Sequence, residues 1–141
     1  MKKRRKPGQP TKYRPIYCKK IIKFFDKPST RTVNETFYYK NGDEKVKEIE
    51  VPNELPTIDL FAMSIGVDDT TLLNWGKKHK EFFAAYQKAK KLQENIWLQN
   101  SLRGLYPSQF AIFIGKNVFD YKDKTEQDIN EKVTIVEEQP K

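Results

Sequence analysis

The apolar positions of this chain keep a helical period, lose it, and regain it. Tyr17, Ile21, Ile22 and Phe25 recur at helical spacing with Lys19, Lys20 and Lys23 between them. This predicts a first helix that starts near Pro15, a residue suited to a first helical turn, and stops before Pro28. From 31 to 51 the pattern changes. Thr32, Val33, Thr36, Phe37, Tyr38 and Tyr39 favour strand, Asn41-Gly42-Asp43 is a hairpin turn signal, and Val46, Ile49 and Val51 supply a return strand that ends at Pro52. After Pro56 the helical period returns and holds to about Phe119. It divides into a segment over 57–79 broken at Gly66, a long helix over about 80–103, and a short apolar helix over about 107–119. Gly104 and Pro107 separate the last two. Residues 124–141 are polar and acidic around one strand-like run, Val133-Thr134-Ile135-Val136.

The fold class that follows is mainly α: a helix-turn-helix DNA-binding domain with an inserted β-hairpin, then a long helix and a short apolar helix for oligomerisation. The expected divisions are a disordered basic arm over 1–13, the DNA-binding domain over 14–79, a helical oligomerisation region over 80–123, and an acidic tail over 124–141.

The helix-turn-helix rests on Ile58 to Lys78. Phe61, Ala62 and Ile65 share one side of a short helix. Two steeply crossing helices need a small residue at their closest approach, here Ala62, and a turn residue tolerant of positive φ, here Gly66. Val67 then plugs the turn, Asp68 can cap the second helix, and Leu72 and Trp75 point inward. Thr70, Thr71, Asn74, Lys77 and Lys78 are left facing outward. Thr and Asn can read base edges in a major groove, while Lys77 and Lys78 suit phosphate. The competing reading is a helical hairpin packed only for stability. Asp68 and Asp69 weaken direct readout, since they favour the helix dipole but repel phosphate.

Charge strengthens the DNA reading. The 141 residues carry a net charge of +8, and the first 27 hold eleven basic groups against one acid. Residues 28–123 are balanced at thirteen of each. Lys2, Lys3, Arg4, Arg5 and Lys6, followed by Lys12 and Arg14, can displace counterions from a phosphate backbone. The arginines can also enter a minor groove. The plain alternative is a solubilising tail. No apolar run reaches the length of a bilayer span, and MKKRRK is followed by Pro7-Gly8-Gln9-Pro10 rather than an apolar stretch. The expectation is therefore a cytoplasmic protein with no membrane partner.

Candidate chemistry is sparse. Cys18 is the only cysteine and His79 the only histidine. Neither a disulfide framework nor a zinc site can be assembled, and no triad is available. Cys18 reads as a packing residue and His79 as a cation at a helix C-terminus. Asp123, Glu126, Asp128 and Glu131 lie on a lysine-interrupted polar stretch and read as solvated. No enzyme and no cofactor are expected. Phe82, Phe83, Tyr86, Ala89, Leu92, Ile96 and Trp97 form a stripe on the long helix that reads as core, with a subunit interface as the alternative. Phe110, Ile112, Phe113, Ile114 and Val118 are apolar on more than one face, which calls for cover from several sides and favours oligomerisation.

Several segments in order carry a family resemblance. They are Gly8-Gln9-Pro10-Thr11-Lys12-Tyr13, the first helix, Trp75-Gly76-Lys77-Lys78-His79, Glu81-Phe82-Phe83-Ala84-Ala85-Tyr86, Phe110-Ala111-Ile112-Phe113, and Lys116 through Lys124. Over about residues 8–127 the chain resembles the terminase small subunit, or DNA-packaging protein, family of tailed phages and prophages. Two positions depart from the family pattern. Gln9 stands where Arg is usual, and Asp120 where Gly is usual, so a slightly different turn is expected there. The resemblance implies a ring-forming homo-oligomer that binds viral double-stranded DNA and presents it to the large terminase subunit, which carries the ATPase and nuclease. It also implies that the hairpin serves ring assembly or DNA contact. The alternative function is a helix-turn-helix transcriptional regulator of a phage or mobile element, acting as a dimer.

Overall fold

A computed structural model describes residues 12–123. The basic run Lys2 to Lys6, the residues Gly8 to Thr11, and everything from Lys124 on, including Val133 to Val136, lie outside the described residues. The elements are helix α1 (Ile16–Phe25), strands β1 (Thr30–Tyr38) and β2 (Glu44–Pro52), and helices α2 (Ile58–Ser64), α3 (Asp69–Lys78), α4 (Lys80–Leu102) and α5 (Ser108–Asn117). Among the described residues the fold is thus mainly α with one β-hairpin, and each of these elements sits within two or three residues of its expected place.

One compact unit runs to Tyr106. Its centre is α4, which packs against both α1 and α3, while α2 packs against α3. Ile21 and Phe25 of α1, Phe61 and Ala62 of α2, Leu72 and Trp75 of α3, and Phe82, Ala85 and Ala89 of α4 form one buried cluster. Each set repeats at three or four residues, which is why the sequence period was readable. Burial of a side chain such as Leu72 or Phe82 contributes about 1.5–3 kcal/mol. Ala85 and Ala89 keep the α4 surface flat where other helices approach. Phe83, expected in the stripe, is 52% exposed because it lies one residue off the buried line.

The far half of α4 carries two polar groups that the apolar pattern did not reveal. Gln93 is buried and its amide donates to the Pro56 carbonyl at 2.9 Å. Asn100, fully buried, donates to the Ser29 carbonyl at 2.9 Å and to the Tyr106 hydroxyl at 3.0 Å. Seven residues apart, they share a helix face and tie down the chain on both sides of the hairpin. Buried polar groups of this kind stabilise only while paired, so they fix position more than they add stability.

β1 and β2 pair antiparallel from Thr30↔Pro52 to Tyr38↔Glu44. Gly42, at φ +87°, makes the turn, with Asn41 and Asp43 bonded across it at 2.8 Å. The base is held by Asn53, whose amide donates to the carbonyls of Pro28 and Thr30, and by an Arg103–Glu50 ion pair at 2.7 Å. Beyond Val33 and Ile49, every residue of the hairpin is exposed.

A second compact unit begins at Pro107 and contains α5. Gly115 is the buried residue of this helix, whereas Ile112 and Phe113 are more than half exposed. Asp120 takes φ +60°, the left-handed geometry that a glycine enters most readily. The reversal lets the Tyr121 amide reach the Gly115 carbonyl at 2.9 Å and returns Asp123 to Lys116 at 2.6 Å. An aspartate tolerates this region better than most side chains because it is short and polar.

Candidate nucleic-acid interface

The segment α2–turn–α3 shows how outward residues are fixed by inward ones. Thr57 caps α2, its hydroxyl accepting from the Leu60 amide at 3.2 Å. α2 ends where Gly66 enters positive φ at +72°, and the Val67 amide returns to the Ala62 carbonyl at 3.0 Å. Val67 is half-buried against the core, filling the turn as the sequence predicts. Asp68 occupies the cap position of α3, but its side chain makes no capping bond, which corrects that expectation. Asp69 instead accepts from the Thr70 amide at 2.8 Å. An acidic first turn still complements the helix dipole.

Leu72 and Trp75 hold α3 by its inner face. The opposite face therefore presents Thr70, Asn74, Lys77 and Lys78, all exposed, while Thr71 is half-buried at the edge. Lys77 and Lys78 occupy the last turn, where a cation is favoured. Lys77 also borders a groove of about 370 Å³ floored by Leu72, Leu73, Phe83 and Tyr86 and flanked by Lys90. Burial pushes the Tyr86 hydroxyl up from its ordinary pKa, helped by the charges of Asp69 and Asp59.

Tyr13 is the residue that sequence reasoning missed. Taken as the end of a disordered arm, it is 8% exposed and belongs to the core. Its ring meets Trp75 edge-on at 5.5 Å and stacks on His79 at 3.8 Å. Its hydroxyl donates to Glu81 at 2.9 Å and lies 3.5 Å from the Cys18 sulfur. Burial, then these two polar contacts, push its pKa well above the ordinary tyrosine value. Glu81 is held below the usual carboxylate range, first by its own backbone N–H and then by the Tyr13 hydroxyl. The available signal was the Thr-Lys-Tyr end of the entry motif: an aromatic among basic residues is an anchor as readily as a spacer.

The anchor has a geometric consequence. Tyr13 pins the chain against Trp75 and His79, at the C-terminal end of α3. Lys12 and Arg14, on either side of it, remain exposed. The root of the basic segment and the last turn of α3 thus meet at one place. His79 is shared rather than terminal: it closes α3, its amide bonding the Trp75 carbonyl at 2.8 Å, and it opens α4. Cys18 is half-buried and packs against the core, as expected.

Among the described residues, no group of three or more His, Cys, Asp or Glu side chains is placed to hold a metal ion. No helix among them is long and apolar enough to cross a membrane. No curated protein and no solved structure matches the chain. A family model does match: that of the DNA-packaging protein gp3, over residues 16–129. That span contains every element described above, and it agrees with the resemblance carried by the segments from Trp75 to Lys124. The chain belongs to the DNA-packaging protein gp3 family, and its role lies in phage DNA packaging.

Proposed function

We propose that this chain is a terminase small subunit: an oligomeric adaptor, without chemistry of its own, that binds viral double-stranded DNA and presents it to the large ATPase/nuclease subunit. The observation that carries the reading is the joint presentation of α3 and the arm root. A helix locked by Leu72 and Trp75 exposes Thr70, Asn74, Lys77 and Lys78, and Tyr13 brings Lys12 and Arg14 to its end. In this reading α2–turn–α3 is a helix-turn-helix, Asn74 and Thr70 face base edges, and the lysines face phosphate. Asp68 and Asp69 keep the affinity of one copy low. Lys2, Lys3, Arg4, Arg5 and Lys6 supply sequence-independent attraction, and several copies add weak contacts through avidity. The exposed Ile112 and Phe113 of α5 support assembly, since apolar surface of this kind marks contact sites.

Light scattering on the purified chain, with and without duplex DNA, tests the assembly. The adaptor predicts a defined species of more than two copies. A stable monomer or dimer at micromolar concentration contradicts it, and a dimer that binds palindromic sites selectively points to a transcriptional regulator instead.

A further inference from the structure

The hairpin is a poor structure to leave bare. A two-stranded hairpin is marginal in water, and this one is exposed on both faces from Asn34 to Glu48. Its register assigns each side chain to a face, because residues opposite one another in an antiparallel pair project the same way. One face carries Glu35 with Lys47 and Phe37 with Lys45, above the half-buried Val33, Ile49 and Val51. The other carries Asn34 with Glu48, Thr36 with Val46, and Tyr38 with Glu44. Two contacts agree with this assignment: the Lys47 ammonium lies 5.1 Å from the Phe37 ring, and Thr30 donates to Glu50 at 2.6 Å.

Charge is therefore sorted by face. Toward its tip the first face has two exposed lysines and one acid, Glu35, beside a phenylalanine, so it is net positive. The second has Glu44 and Glu48 beside the exposed Val46 (63%) and Tyr38 (75%). Glu50, nearer the base, is already paired with Arg103. The two faces of one hairpin are complementary to each other, but they point in opposite directions and cannot meet within one chain. We propose that the Lys45/Lys47 face of one copy stacks on the Glu44/Glu48 face of the next, so that the hairpin is a head-to-tail assembly contact. Contacts between unlike faces continue from copy to copy and close into a ring when the rotation allows. Aromatic and aliphatic groups on each face supply apolar cover, while the charges fix polarity and exclude like-to-like pairing. DNA is the weaker occupant: residues 30–52 hold four basic and five acidic groups.

The inference rests on the oligomeric reading above, and a charge-swap experiment separates the two. One variant of the full chain carries Lys45→Glu with Lys47→Glu, and a second carries Glu44→Lys with Glu48→Lys. Each alone presents like charges on both faces. Masses are measured by light scattering for wild type, each variant, and an equal mixture. The proposal predicts assembly in wild type, a severalfold lower mass for each variant alone, and recovery on mixing of assemblies severalfold heavier than either variant, because alternating copies restore unlike faces where they meet. Recovery also shows that both variants fold. If wild type assembles and each variant assembles as well, the hairpin contact is wrong while the adaptor stands. Loss in the variants without recovery on mixing overturns it too, as does a lysine variant that keeps its mass but loses DNA affinity. A monomeric wild type removes the oligomeric reading itself.

Discussion

At the scale of single residues, backbone geometry and one buried hydroxyl set the site. Gly66 holds φ +72° with open space where a Cβ would go, so the cost of a side chain there is conformational alone. Gly66→Ala should lower stability by about 1–2 kcal/mol, the cost of placing an L-residue in the left-handed region, read as a lower midpoint in denaturant with an unchanged slope. An unchanged midpoint would mean that the turn relaxes to negative φ. Tyr13 makes a pH prediction. Its folded pKa lies above the ordinary value of 10.0 for a tyrosine, so the folded chain holds the proton more tightly than the unfolded one. Its contribution is complete below about pH 10 and is lost as pH rises through the folded value. Tyr13→Phe should therefore flatten the alkaline fall in stability above pH 10, while weakening the tie to Glu81 at neutral pH. A fall as steep as in wild type would assign the alkaline loss to other groups, Tyr86 first among them.

At the scale of elements, the helices were legible because each buries a stripe at three- and four-residue spacing, and the hairpin because Asn41-Gly42 demands a turn between β-formers. Three features were not legible. The burial of Tyr13 depends on Trp75 and His79, some sixty residues away in sequence, which no local period reveals. Gln93 and Asn100 read as surface polar residues until the carbonyls of Pro56 and Ser29 are seen opposite them. The sorting of charge by hairpin face follows only from the register, since a shift of one residue would exchange the faces. The hairpin also closes on itself at its base, where the Asn53 amide donates to the Ser29 carbonyl at 2.9 Å. Replacing residues 31–51 with a short Gly/Ser linker should leave the helical signal in circular dichroism and a single cooperative unfolding transition. Loss of cooperativity would show that the hairpin is part of the folding core.

At the scale of the molecule, the candidate surface divides labour between attraction and position. Residues 28–123 carry equal numbers of basic and acidic groups, so the net positive charge comes from the first 27 residues. Tyr13 roots that segment beside the last turn of α3, and in the proposed reading the acidic first turn at Asp68 and Asp69 steers DNA toward Lys77 and Lys78. In that reading the arm sets the strength of binding and α3 its placement. How far the site could be read from sequence follows from this division. The outward residues of α3 were readable from helical period, whereas their meeting with Lys12 and Arg14 depended on the Tyr13 packing.

The most direct test is the salt dependence of duplex binding by the full chain, followed by fluorescence anisotropy, for wild type and for Lys77→Gln with Lys78→Gln. The exchanged residues are exposed and should leave the fold intact. The account predicts weaker binding and a slope of log K against log salt that is shallower by about 2, one unit for each lost phosphate contact. Unchanged affinity and slope would contradict it, because α3 would then not face the DNA.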